Sequence, residues 1–156
     1  MPHDNVEPFG QMLDELAART AAPGGGAAAA WTAAVAAALV EMAAAFAERP
    51  GERAAQLRGR ALELAKQELH AYQPVLEAKR QHDSARVREA LITAADSPLA
   101  IAAVAQEVSA LATELAATGK PSVAGDAQTA AVLADAAREA AANLAEINLS
   151  EAREIR

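Results

Sequence analysis

Apolar residues recur along this chain at steps of three and four, and nowhere do they alternate in twos between turn residues. That spacing predicts helices throughout and no strands, an all-α protein. The strongest run lies between Ala27 and Ala47, where Trp31, Val35, Leu39, Met42 and Phe46 fall on one face and nearly everything else is alanine. Alanine is the best helix former, so a long helix is expected from about Ala27. Its only charged side chain is Glu41. A helix apolar all round belongs in the middle of a bundle or in a membrane, and its bare alanine faces let neighbouring backbones come close. Pro23 to Gly26 lead into it with flexible backbone whose free N–H groups, at the positive end of a helix, favour anions.

The other segments follow the same period. Asp4 or Asn5 can cap a short first helix on which Phe9, Leu13 and Leu16 form a stripe, broken by Thr20 to Gly26. Arg49-Pro50-Gly51 is a turn. A charged helix follows to about Arg80, with Leu57, Ala61, Leu64, Ala65, Leu69, Tyr72 and Leu76 inward and a kink at Pro74. Gln81 to Ala95 reads as a short polar helix or a partly ordered connection. Asp96-Ser97-Pro98 restarts a helix carrying Ile101, Val104, Val108, Leu111 and Leu115, which Gly119-Lys120-Pro121 ends. Ser122 to Asp126 open the last helix, whose seam is Ala130, Leu133, Ala137, Ala140, Leu144 and Ile147. The expectation is one domain over residues 1–156, a compact bundle of about six helices around a buried, alanine-rich central one.

Composition narrows the chemistry. With one Trp, one Tyr and two Phe in 156 residues, the core must be filled by many small contacts. The absence of cysteine excludes disulfides, thiolate nucleophiles and cysteine-ligated metals. A formal charge of −7 argues against a general nucleic-acid or anionic-membrane surface. The first ten residues have neither the basic start nor the apolar stretch of a secretory signal, so the cytoplasm is the expected location. Residues 27–47 could span a bilayer by length, but alanine gains little from lipid and Glu41 would sit in hydrocarbon.

A few polar residues stand in unusual places. Asp126 lies in line with the apolar seam at the start of the last helix, where an N-cap bonding the helix's free N–H groups is the ordinary reading. Glu41 is either a carboxylate desolvated by its apolar run, which suits proton transfer, or a structural residue, the partner of a buried arginine or one at a crevice mouth. Asn143 and Asn148 lie near the end of the last helix. His3, His70 and His82 have no metal-ligand spacing, E-x-x-H and H-E-x-x-H are missing, and the triple glycine lacks the context of a nucleotide motif, so no metal is expected.

Taken in order, the pieces resemble a known family. A first helix ending in A-x-P-G-G-G, an alanine helix closing in L-V-x-M, E-x-x-A-Y at Glu68 to Tyr72, S-P-L-x-I-A from Ser97, G-K-P-S-V-A-G-D from Gly119 and a final I-N-L at Ile147 to Leu149 are similar to the cyclodeaminase/cyclohydrolase family. Its members are helical, usually dimeric proteins related to the second domain of formiminotransferase-cyclodeaminase and to methenyltetrahydrofolate cyclohydrolases. The resemblance implies a tetrahydrofolate derivative as substrate, no tightly bound cofactor, and either loss of ammonia from a formimino-folate or hydrolysis of a methenyl bridge. It further implies Asp126 as general acid/base, supported by Glu41 or Glu68. The Gly24, Gly25 and Gly26 amides would receive the substrate's carboxylate beside Lys120, and Tyr72 and Asn148 would complete the binding set.

Three positions depart from the family pattern: Ala27 where serine is usual, Lys66 where an acidic residue is frequent, and Lys120 where asparagine is common. The stretch from Leu76 to Ser97 is also short. Two readings follow, a folate enzyme acting as a homodimer, or a helical dimer of the same fold that binds another small molecule or a protein. Both expect a second copy to cover the alanine-rich helix.

Overall fold

A computed structural model describes residues 6–155, so the Asp4 or Asn5 cap and His3 lie outside the described residues. Those residues form seven α-helices and no strand. They are α1 (Val6–Ala17), α2 (Gly25–Phe46), α3 (Glu52–Glu68), α4 (Gln73–Arg80), α5 (Ser84–Ala94), α6 (Asp96–Thr118) and α7 (Ala124–Glu154), with a 3-10 turn at Pro121–Val123 before the last.

The count exceeds six because the charged helix expected up to Arg80 is two helices. Pro74 has no N–H to give the His70 carbonyl, so the chain turns at residues 69–72 and restarts with the proline in the first turn of α4. The stretch read as a polar helix or connection is a capped helix, α5, in which Asp83 accepts a hydrogen bond from the Arg86 N–H at 3.0 Å. Only Ala95 separates α5 from α6, and the expected cap at Asp96 is absent because Asp96 is already inside α6.

α2 runs through the middle, packed against α3, α6 and α7, while α4, α5 and the end of α7 enclose a smaller cluster around Val75, Val87 and Leu91. What α2 buries is alanine: Ala30, Ala33, Ala36 and Ala37 are fully enclosed. The bulky face reads differently from expectation, since Val35 is 48% exposed, Met42 36% and Phe46 55%, with Trp31 and Leu39 half-buried. On α7 the expected seam holds at Ala130 and Ala137, which are buried with Ala127, Ala134, Ala141 and Ala145, while Leu133 and Leu144 are half-buried and Ala140 and Ile147 exposed. Two methyl-lined surfaces let helix axes approach closely, whereas large side chains there would hold them apart. On α3 and α6 the expectation held for Leu57, Ala61, Leu64, Ile101, Val104 and Val108, all buried. Tyr72 and Leu76 are exposed, and Val75 and Ala78 face inward in their place.

Residues 25–46 and 84–118 are long and apolar enough to cross a membrane, and half of the α2 window is buried inside the bundle.

The register of α2 against α7 places the functional groups. A β-carbon on Gly25 would lie 3.5 Å from Leu144, and Ala43 clusters with Val123 and Ala127. The two helices are therefore antiparallel, with Ala33 about level with Ala137. At about 1.5 Å of rise per residue, Gly26 and Ala43 stand roughly 25 Å apart. α1 packs substantially on no other element and leaves Phe9 and Leu13 exposed.

Candidate functional site

The N-terminal end of α2 is built to accept a carboxyl group. Gly24 precedes the helix and supplies no side-chain cap, so the first N–H groups are left to other partners. Glu68, the last residue of α3, packs directly on Gly26: a β-carbon at that glycine would come within 1.8 Å of Glu68 Oε2 and 2.5 Å of Cδ. Only glycine leaves room. The partial positive charge of the helix end favours the carboxyl there. Glu68 Oε1 is buried and makes no hydrogen bond, and the one other such side-chain atom among the described residues, Ser97 Oγ, stands next to Pro98 at the same end of the bundle. Orphaned buried polar atoms are rare in folded proteins and mark a place where a ligand, an ion or water is the missing partner.

Around Glu68 the fold leaves a cleft of about 280 Å³, lined among others by Gly26, Tyr72, Pro98, Asn148 and Glu151. Its size is at the low end of ligand pockets, roughly 300–1,000 Å³, enough for a bicyclic head group but not for a long ligand. Asn148 is fixed by the joint between α5 and α6. The Ala94 carbonyl would be bonded by the N–H four residues on, but that residue is Pro98, which has none, and Asn148 Nδ2 donates to it instead at 3.3 Å. This bond leaves Asn148 one N–H and its carbonyl oxygen for other partners.

The structure brings Gly26, Glu68, Tyr72 and Asn148 into one cleft, with Gly24 and Gly25 adjoining. It does not bring Asp126 there. Because α7 runs antiparallel to α2, its first turn packs at the far end of α2, and the shared crevice expected between the glycines and Asp126 does not exist within one subunit. Nor is Asp126 bonded as a cap: it lies inside the first turn, half-buried and without a side-chain hydrogen bond among the described residues. Lys120 is exposed at that same end, beside Phe46, Arg49 and Thr118. Beside the expected landing place for a substrate carboxylate, the glycine amides, the protein's own Glu68 packs on Gly26.

Glu41 is held by both oxygens, Arg58 Nε to Oε1 at 2.5 Å and Nη2 to Oε2 at 3.2 Å. The hydrogen bond that Arg58 donates to Glu41, then the charge of Glu41, raises the Arg58 pKa above its usual value. Of the two readings of Glu41, the geometry matches the arginine partner, although Arg58 is 43% exposed. Asn143 is exposed. Ala27 is buried beside the cleft, and Lys66 pairs on the outer surface with Glu63 at 2.7 Å. No three His, Asp or Glu among the described residues are grouped to hold a metal ion. Sequence reasoning passed over Ser97, whose proline neighbour was visible but whose unpartnered hydroxyl was not, and over Lys79 and Glu151.

Comparison with known proteins adds to this geometry. The family model described as formiminotransferase-cyclodeaminase matches residues 8–155. The chain is similar to the crystal structure of formiminotetrahydrofolate cyclodeaminase from Thermotoga maritima, with a TM-score of 0.85 and 28% identity over 92% of this chain and 78% of that one. No curated protein sequence is significantly similar to it. With nearly its whole length matched, the chain belongs to the formiminotransferase-cyclodeaminase family.

Proposed function

We propose that the chain is a tetrahydrofolate one-carbon enzyme, a formimino-tetrahydrofolate cyclodeaminase or a methenyl-tetrahydrofolate cyclohydrolase, acting in the cleft at the N-terminal end of α2. Family membership and the likeness to the Thermotoga protein support folate chemistry. The observation that carries the reading to this cleft is the Glu68 carboxyl, seated on Gly26 with one oxygen buried and unpartnered. In deamination, the second folate nitrogen adds to the carbon of the protonated formimino group and gives up its proton, the departing NH2 gains that proton, and ammonia leaves as the ring closes to the methenyl cation. In hydrolysis, water adds to the methenyl carbon, loses a proton, and one carbon–nitrogen bond opens. Each route needs one group that accepts a proton and returns it, and a fixed carboxyl is such a group. The pteridine head lies against Glu68, oriented by Asn148 and Tyr72. The chemistry needs no tightly bound cofactor, and the proposed location is the cytoplasm.

The test follows the absorbance of the methenyl bridge, its loss from methenyl-tetrahydrofolate or its appearance from formimino-tetrahydrofolate. Activity is expected with one of the two, and Glu68→Gln is expected to lower kcat by about 10²–10⁴-fold, the usual contribution of a proton-transfer group. Absence of turnover with both substrates at high protein concentration would sink the reading. Full activity in the Glu68 variant would remove Glu68 from it.

The reading includes a second copy. Val35, Met42 and Phe46 form an apolar stripe on the outside of α2, and Leu62 of α3, which shares a hollow with Trp31, is exposed too. Such a contiguous patch on one helix is the mark of a partner surface, and the symmetric solution is an isologous dimer. Light scattering is expected to return twice the 16.0 kDa mass of one chain at micromolar concentration; a monomer would refute the dimer.

A further inference from the structure

We propose that Lys79 recognises the carboxylate end of the ligand, an inference that rests on the folate reading above. Three facts lead to it. The cleft is lined by two carboxyl side chains, Glu68 and Glu151, and by no lysine, arginine or histidine. A folate-type ligand ends in a glutamate, and its charge has no counterpart inside. The cleft is also too small for the whole ligand, so with the pteridine head on Glu68 the glutamyl end must lie over the rim.

At the rim stands Lys79. It lies on α4, seven residues and therefore two helical turns beyond Tyr72. Its Nζ is 2.6 Å from Glu151 Oε1, 3.4 Å from the Tyr72 hydroxyl and 5.8 Å from the centre of the Tyr72 ring. Both partners line the cleft, and among the described residues Lys79 is the one cation hydrogen-bonded to its lining. An ammonium group has three donors, of which these bonds use two. The hydrogen bond to Glu151 holds the lysine's pKa above its ordinary value, so the charge is present at neutral pH. On the far side of the pair a second hollow, of about 410 Å³, shares Glu151 and is lined by Lys79, His82 and Ser84. The glutamyl end has room there. With a carboxyl at its floor and a lysine–glutamate pair with a spare lysine donor at its rim, the cleft takes the ligand in one orientation, since a carboxylate directed at Glu68 would find no cation there.

The position differs from the one the sequence favoured. Lys120 lies at the opposite end of α2, whereas Lys79 was read only as part of a charged helix.

Lys79→Met keeps the aliphatic stem on Tyr72 and removes the charge; Lys79→Arg keeps the charge. With the folate substrate that the wild type turns over, the methionine variant is expected to raise KM about tenfold with kcat held within about twofold, as loss of one charged contact at the rim requires. With the same substrate esterified at both glutamyl carboxylates, wild type and Lys79→Met are expected to have KM values within about twofold of each other. The arginine variant should recover most of the lost affinity. An unchanged KM for the charged substrate, or an equal rise for substrate and diester, overturns the assignment while leaving the folate reading intact. Absence of turnover of either folate in the wild type overturns both.

Discussion

Replacing Gly26 with alanine is expected to lower kcat/KM by about a hundredfold or more without lowering the melting temperature. The two readouts separate because different parts of the residue govern them. An added methyl would sit 1.8 Å from Glu68 Oε2 and 2.5 Å from Cδ, inside any contact distance, so the carboxyl must leave its seat. Glu68 ends a flexible side chain, and moving it out costs the fold little. Alanine within a helix is worth roughly 0.5–1 kcal/mol over glycine, which offsets that cost. The reacting group, however, is displaced by more than the 1 Å that already costs about a hundredfold in well-aligned sites. Steady-state kinetics beside a thermal melt decides the matter. A Gly26→Ala protein with wild-type activity would show that the carboxyl's place on the glycine has no part in turnover.

The second large effect concerns the fold alone. Ala134→Leu is expected to destabilise the protein by about 3 kcal/mol, because Ala134 is fully enclosed where α7 meets its neighbours and the contact has no room for three more carbons. For a chain of this length that corresponds to a melting point lower by about 10 °C. Val132→Leu adds one carbon on the outside of α7, where the side chain is 68% exposed, and should shift the melt by far less. A drop of under 2 °C for Ala134→Leu would mean that the helices can move apart freely and that their close approach is not what holds them.

The order of the helices, and every break but the one before Pro74, were legible because alanine-rich and leucine-rich segments separated by proline and glycine leave few alternatives. Which face goes inside was not. Periodicity ranks faces by hydrophobicity, so it singled out Trp31, Val35 and Met42 on α2 and set Ala140 and Ile147 beside Ala130 and Ala137 on α7, where the fold buried Ala33, Ala37, Ala130, Ala134, Ala137 and Ala141. A pattern one residue out of step on a helix differs by about 100° in direction, and only the packing partner decides between the two. The same gap explains the site. Glu68, Tyr72, Asn148 and the glycines could be assembled from a family resemblance, but the antiparallel register that separates them from Asp126 and Lys120 is a property of two helices together. The link between Pro98 and Asn148 was hidden for a related reason: a proline announces a missing donor, not which distant side chain will replace it.

A core made of methyl groups also sets the thermodynamics of unfolding. Each buried alanine exposes far less nonpolar area on denaturation than a leucine would, and the heat-capacity increment and the denaturant slope both scale with that area. For this chain both should fall below the usual values for its length, the former below about 12–15 cal/mol/K per residue. The stability curve would then be flat and wide, holding nearly constant free energy across temperatures where a leucine-cored bundle of equal size rises and falls.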